Sequence, residues 1–449
     1  MSHSPNPLRS AMDTTDPLGQ NSAWPRTHGR SPAEADGLFP SPTGMSSPLR
    51  TQGCPELVWL SAVNWDFPLV GRTRMLTEQW LELGQRCRFV QVPSYRTAFE
   101  RLTRHPTEDP VVRPWPSWPS STWRHLGRTP LETSLRFSAR ALRRQLSKRI
   151  DIEQSVALVV SPVWAPWLDE LPFRAVVYDC IDDVRVMTPR PELLPLYQSW
   201  EAQLIDRAEA VVTCSDALAE GVLAQRPDVP TITIRNGCRV EEFVQQADTA
   251  RRPDDLPGVA GRPVVGFVGA LYDWIDWDLI EHVSEKRPEV EFAFVGPWLR
   301  DKPPPRTLRE KDNVHFLGAR PYDRVPDYVG HFDLCWVPFR QDEIGRSANP
   351  VKLYEYLAVG KPVVSTPVAD MESFEGQVEF GRSAEEIGEL IRLGLVKSFA
   401  TDAPASAQTH AQPDVAREGR RAFAQRQSWR TRAADYIDFI GTAFGDPIR

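Results

Sequence analysis

The sequence predicts an α/β protein made of two doubly wound, Rossmann-like domains facing across a cleft, and three observations carry that prediction. Short apolar runs alternate with amphipathic stretches from about residue 55, the same alternation restarts at Pro263, and a polar stretch rich in Pro and Gly separates the two halves. Strands alternating with helices make a parallel sheet covered on both faces. A chain of 449 residues also exceeds what one ordinary core holds.

Taken in order, residues 1–53 are rich in Ser, Pro, Gly and Thr without a sustained period, which predicts a disordered tail. The first domain is expected over 54–240, with strands at 57–63, 88–92, 156–160, 175–178 and 210–213 and helices near 72–83 and 193–208. The Asn236-Gly237 turn leads into a linker at 241–262. The second domain spans 263–425, with strands at 264–268, 292–295, 314–317, 334–337 and 362–365. A last helix within 426–449 is expected to cross back to the first domain. Residues 301–311 and 400–418 read as mobile loops, and the Pro-rich stretch 105–130 carries Trp115, Trp118 and Trp123.

Apolar residues make up 41% and charged residues 25%, ordinary for a globular protein. The net charge of −7 excludes a globally basic nucleic-acid binder, so no nucleic-acid partner is expected. Cys54, Cys87, Cys180, Cys214, Cys238 and Cys335 are scattered without a C-x-x-C pair, which argues against a disulfide framework or a zinc site and for a reducing compartment. The N-terminus carries no charged-then-apolar signal, and apolar runs such as Val264–Tyr272 are about half the length that spans a bilayer. The expected location is cytoplasmic, or peripheral on the inner face of the cytoplasmic membrane.

The most informative stretch is SANPVKLYEYLAVGKPVVST, residues 347–366. Asn349 suits a helix N-cap, Pro350 the first helical position and Gly360 the stop before a strand. Lys352 falls in the first turn, where free backbone N–H groups point, and Glu355 three residues on shares its face. Such a helix start suits a diphosphate, and the carboxylate one turn deeper suits sugar or ribose hydroxyls. A second candidate is GFVGALYDWIDWDLI, 266–280, where Gly269 follows a strand and lets backbone approach a ligand closely. Within it, Asp276-Trp277-Asp278 spells a D-x-D pattern, but carboxylates at a helix start are favoured by the dipole without any metal, so no metal site is expected. A third is RAVVYDCIDDVRV, 174–186, a strand ending in Asp179, Asp182 and Asp183 on the ligand side of the fold. One of these carboxylates serves as a candidate general base, and a helix cap is the competing role for each.

Together these segments resemble the GT-B glycosyltransferases, in particular bacterial enzymes close to the retaining group 1 (family 4-like) enzymes and to the xanthan-type glucuronosyltransferases. The resemblance covers roughly residues 55–445 and rests on VVYDCIDD, IRNG, GFVGALYDWIDWDLI, FAFVGP, NVHFLGARPYDRVPDYV, FDLCWVPF and NPVKLYEYLAVGKPVV in that order. It implies a donor nucleotide sugar in the second domain and an acceptor in the first, with a sugar or lipid-linked sugar as acceptor and no cofactor beyond the donor. It places Lys352 and the Gly269 backbone at the donor diphosphate, Asn349 and Val351 near the nucleotide with Val351 by its base, and Glu355 at the ribose. The group 1 enzymes often carry two glutamates eight residues apart, whereas Ser347 stands eight before Glu355 here. Xanthan-type enzymes instead use a first-domain aspartate as base in an inverting displacement, which points to Asp182 or Asp183. The rival readings are a nucleotide-sugar epimerase of the same architecture and a non-catalytic binding protein, the latter favoured by Ser347.

Residues 111–149 hold nine Lys and Arg against one acid, Glu132, in an otherwise acidic chain. Leu135, Ala139, Leu142 and Leu146 fall at helical spacing beside the basic face, so this segment is the candidate for contact with an anionic membrane surface. A helix packing its stripe into the core with a solvated basic face is the alternative.

Overall fold

The computed structural model describes residues 54–65, 71–91, 110–112, 131–188, 191–258, 261–298, 302–401 and 415–444. The expected N-terminal tail, Trp115, Trp118 and Trp123, and residues 402–414 lie outside them. Two all-parallel sheets form. In the first the order is β3-β2-β1-β4-β5-β6-β7, and in the second β10-β9-β8-β11-β12-β13. The strands are β1 Leu57–Leu60, β2 Cys87–Val90, β3 Val111–Val112, β4 Val156–Val159, β5 Ala175–Cys180, β6 Ala210–Thr213 and β7 Thr231–Thr233, then β8 Val264–Val268, β9 Glu291–Val295, β10 Val314–Gly318, β11 Leu334–Val337, β12 Val363–Ser365 and β13 Glu379–Phe380. The chain reverses direction of growth at β1, which pairs with both β2 and β4, and again at β8, between β9 and β11. Ligands of doubly wound folds bind outside the carboxyl ends of strands at such reversals.

The central strands are apolar runs buried on both faces, as parallel strands covered by helices must be. Alternate residues divide between two layers: Val58 and Leu60 join one apolar cluster, Leu57 and Trp59 the other. The edge strands β3, β7 and β13 are two or three residues long.

The helices that matter below are α1 Arg72–Glu82, α2 Leu131–Leu146, α3 Leu194–Arg207, α4 Asp216–Gln225, α5 Val240–Thr249, α6 Trp277–Lys286, α7 Glu343–Ser347, α8 Val351–Val359, α9 Val415–Arg426 and α10 Trp429–Phe444. Helix α5 occupies the start of the segment expected as linker, and its Phe243 is buried in the second core. Residues 302–311, expected as a mobile loop, include the helical turn Arg306–Arg309 with Leu308 fully buried. The mismatch arises because a single apolar anchor among charged residues carries no periodic signal.

The C-terminal pair of helices divides between the domains. Ala424 of α9 sits in the second core, and Arg420 Nε donates to the Gly360 carbonyl at 2.8 Å. Tyr436 of α10 lies 5.2 Å from the Trp80 ring and 6.0 Å from Trp59 in edge-on packing, and Trp80 Nε1 donates to the Ala433 carbonyl at 3.0 Å. Helix α10 is thereby part of the first domain's apolar layer.

Helix α2 turns Ala139, Leu142 and Leu146 into the first core, on the side of Trp164 and Leu168, while Arg143, Arg144, Lys148 and Arg149 are exposed. Ala139, Leu142 and Leu146 of the stripe are thus spent on packing, as in the core-packing alternative. Among the described residues no helix is long and apolar enough to cross a membrane.

Candidate active site

Gly269 directly follows strand β8, and its φ of +150° is closed to most side chains. A Cβ there would lie 1.9 Å from Lys352 Cε and 2.8 Å from its Nζ, so the missing side chain is the space the lysine occupies. Gly296, after β9, has φ +155°, and a Cβ there would meet the Gly269 carbonyl oxygen at 1.8 Å. The two glycines therefore stack backbone on backbone beneath the lysine. Gly269 N–H itself donates to the Val295 carbonyl at 2.9 Å. The Lys352 ammonium lies 5.7 Å from the Phe267 ring and 6.0 Å from that of Phe339, within cation–π range.

Lys352 is the second residue of α8. The helix begins one residue later than the sequence suggested: Pro350 is the N-cap, and no side chain caps it. Asn349 faces the other domain instead. Its Oδ1 accepts the Asn236 backbone N–H and the Tyr354 hydroxyl, both at 3.1 Å, and its carbonyl accepts Asn236 Nδ2 at 2.7 Å. Its own Nδ2 is buried without a partner among the described residues. Gly360 ends the helix in the left-handed conformation at φ +86°. Val351, half-buried, packs against the first domain's apolar layer.

Glu355 is buried, and its Oε1 accepts the Tyr322 hydroxyl at 2.8 Å. Burial pushes this carboxyl above its ordinary value, against the opposing pull of Tyr322 and Lys352. Burial likewise lowers the Lys352 ammonium, although Glu355 and Asp182 act the other way.

The three carboxylates after β5 have three different environments. Asp179 is fully buried and faces Arg72, Nε to Oδ2 at 3.1 Å and Nη2 to Oδ1 at 3.2 Å. Arg72 Nη1 also donates to the Ile234 carbonyl at 2.7 Å, so this pair holds the strand leading to Asn236. Asp183 caps the short helix Val184–Met187 by accepting Arg185 N–H at 2.8 Å, and pairs with the Arg185 guanidinium at 2.7 Å. Burial would raise its carboxyl, but the bonds from Arg185 hold it below the usual range. Asp182 has no such partner. Burial first and the Asp183 charge second push it up to about 7, with Lys352 opposing from the other domain.

Ser347 ends α7; its hydroxyl donates to the Ile344 carbonyl, and its own carbonyl accepts Ser215 Oγ at 3.0 Å across the cleft. Arg185 pairs with Glu343 beside it, and Arg235 with Asp370 at 2.8 Å further along the same seam. Asp276 caps α6 by accepting Leu279 N–H at 2.9 Å, a structural use of the D-x-D aspartate.

Lys352, Gly269, Glu355 and Asp182 are thus brought to one place, Asn349 and Val351 turn to the first domain, and Asp183 is spent on capping. Tyr322, Phe267 and Phe339 escaped the sequence reading. Tyr322 sits in the Pro-Tyr-Asp-Arg stretch after β10, and nothing local announces that it reaches a glutamate 33 residues on.

Residues 262–392 match the model of the family described as Glycosyl transferases group 1. A putative teichuronic acid biosynthesis glycosyltransferase, TuaH of Bacillus subtilis (strain 168), is 30% identical over 204 residues, 42% of this chain and 50% of that protein. A 2-deoxystreptamine N-acetyl-D-glucosaminyltransferase of Streptomyces fradiae is 30% identical over 132 residues, 26% of this chain and 29% of that one. The chain therefore spans half or less of the length of these relatives. Among solved structures, sucrose-phosphate synthase from Thermosynechococcus elongatus superposes with a TM-score of 0.62 at 15% identity, over 87% of this chain and 99% of that one. Anabaena Alr3699/HepE in complex with UDP-glucose superposes with a TM-score of 0.59 at 16% identity, over 86% and 100%. Residues 262–392 thus match the group 1 glycosyltransferase family model, and the two parallel sheets share the GT-B fold of these solved structures.

Proposed function

We propose that the chain moves a sugar from a nucleoside-diphosphate sugar to a hydroxyl of a saccharide or lipid-linked saccharide acceptor, in building a cell-surface polysaccharide or glycolipid. One observation carries the reading: Lys352 of the second domain and Asp182 of the first lie close enough for each to shift the other's ionisation. A cation suited to a leaving diphosphate and a carboxylate suited to taking a hydroxyl proton share one cleft. The likeness to TuaH supports the polysaccharide setting, and the UDP-glucose complex of the similarly folded HepE makes uridine donors the first to test.

The residues divide the work as follows. Lys352 faces the diphosphate and stabilises the charge that develops as the bond from the sugar to the phosphate breaks. Gly269 acts by leaving room for it. Glu355 takes the ribose hydroxyls, sharing them with Tyr322, and Val351 walls the base. Asn349 holds the start of α8. Asp182, with its carboxyl raised to about 7, accepts the proton of the acceptor hydroxyl as its oxygen attacks the anomeric carbon, which inverts that centre. The ammonium supplies the positive charge at the leaving group, so the reaction as drawn draws on no metal.

Incubation with UDP-glucose and other nucleoside-diphosphate sugars, with and without saccharide acceptors, tests this reading. Free nucleoside diphosphate released only when acceptor is present is the expected result. An isomerised nucleotide sugar, or binding without turnover, overturns it.

The exposed Arg143, Arg144, Lys148 and Arg149 on and just after α2 support an anionic membrane surface as a further partner, held by charge, since Ala139, Leu142 and Leu146 are buried. Sedimentation with anionic vesicles is expected at low salt and lost on changing Arg143 and Arg144 to Glu. No binding at low salt overturns it.

A further inference from the structure

A cavity of about 600 Å³ opens beside the cleft, between α3 and α4 of the first domain and α7 of the second. It is within the size range of ligand sites, and its walls come from both domains, joined there by the Arg185–Glu343 pair. Ser347 stands at its edge. We infer that this cavity is a subsite for an uncharged oligosaccharide, holding the acceptor chain away from its reacting end; the inference rests on the transfer reading above.

The chemistry of the lining selects that class. Gln198 on α3 and Gln225 on α4, both exposed, bring two amides, each both donor and acceptor, to the rim of the cavity. Glu201 gives Oε1 to the Tyr178 hydroxyl at 2.7 Å and retains Oε2 as an acceptor. Arg346, exposed and without an ion pair among the described residues, adds donors beside Ser347. A lining that holds both donors and acceptors matches sugar hydroxyls, which are both. The charges disfavour an anion: Asp183 and Glu343 share one guanidinium, Arg185, and Glu201 balances Arg346, so the lining retains a net negative charge. Between the polar groups, Leu218 and Val222 give apolar patches of the kind that lie under the C–H faces of a pyranose.

Gly221 makes a direct test available. It lines the cavity on α4, and a Cβ there meets nothing within 4 Å. Gly221→Trp fills the cavity without a clash at its base, and replacing a helical glycine favours the helix. Titration calorimetry on the full chain would use maltotetraose and chitotetraose as uncharged probes, tetragalacturonate as a charged one, and UDP as a control. The expected result is binding of an uncharged tetrasaccharide, weakened at least tenfold by Gly221→Trp and by the Gln198→Ala, Gln225→Ala double change, with UDP affinity unaltered and melting temperature not lowered. The inference is overturned if neither uncharged probe binds, if both substitutions leave the affinity unchanged, or if tetragalacturonate binds more tightly. Failure of the transfer reading looks different: no donor is turned over by the unsubstituted chain, whatever the saccharides do.

Discussion

Asn236 and Asn349 hold one another across the two domains: the backbone N–H of Asn236 donates to Asn349 Oδ1 at 3.1 Å, and Asn236 Nδ2 donates to the Asn349 carbonyl at 2.7 Å. Both residues are buried. The pair sits two and three residues before the α8 positions Val351 and Lys352, so it sets where the helix bearing Lys352 and Glu355 begins relative to the first domain. It is an asparagine contact that neither domain makes by itself.

Asn236→Ala leaves the Asn349 carbonyl without its side-chain donor in a buried seam. A buried acceptor so stranded costs about 1–3 kcal/mol. We expect a lower urea midpoint together with weaker nucleoside-diphosphate binding, because the helix start loses its fixed place. A drop in stability with donor affinity intact would show that the contact merely glues the domains.

The stacked glycines predict two different failures. In Gly269→Ala the new methyl meets the side chain of Lys352, which is flexible, at 1.9 Å. The backbone angle at Gly269 adds a strain of about 1–3 kcal/mol, so the fold should survive with lowered stability while the ammonium is pushed aside and nucleoside-diphosphate affinity falls at least tenfold. In Gly296→Ala the methyl meets the Gly269 carbonyl oxygen at 1.8 Å, and the backbone just after β8 cannot yield as a flexible side chain can. That change should cost more than about 3 kcal/mol, at the severe end for a single substitution, and leave little folded protein. Melting curves and diphosphate titration of the two variants side by side check the contrast.

The buried pair Arg72–Asp179 predicts a stability effect of its own. Both side chains are within 3% of full burial, so Arg72→Met leaves a carboxylate in an apolar layer beneath Tyr436. Removing one partner of a buried pair costs about 3–5 kcal/mol. Because Arg72 also bonds the Ile234 carbonyl, hydrogen exchange should quicken along 234–236 in this variant, more than in the sheet's far edge at β3.

Much of the frame was legible because the central parallel strands are continuous apolar runs, and Gly360 marked the end of α8 through a conformation that glycine favours. The edge strands β3, β7 and β13 were not, since two or three residues carry no period. The fates of Asp179, Asp182 and Asp183 were not separable in sequence: three carboxylates after one strand look alike until Arg72, 107 residues earlier, claims the first and Arg185 the third. Asn349 misled for a related reason. Asn is favoured at helix starts for its side-chain oxygen, and here that oxygen is taken by a residue 113 positions away.

Asp182 is the carboxylate left over, and its environment sets a pH dependence in two measurements. Its carboxyl is raised from the usual 3.8 to about 7. Between those values the folded chain keeps a proton that the unfolded chain has lost, so the folded state binds more protons and stability falls as pH rises through that window. The contribution is complete below about pH 3.8 and gone above about pH 7. Asp182→Asn cannot ionise, so relative to the unsubstituted protein it should gain stability between pH 4 and pH 8, read as melting temperatures at each unit. Activity should run the other way. The proton acceptor is the ionised form, so kcat/KM for transfer should climb as pH passes through about 7, and Asp182→Asn should lower it by about 10²–10⁴, the usual contribution of a positioned general base. Asp183→Asn, which removes a cap, an Arg185 partner and a charge that helps raise Asp182, should keep that pH profile but move it to lower pH. A profile abolished by Asp183→Asn and kept by Asp182→Asn would reverse the assignment of the base.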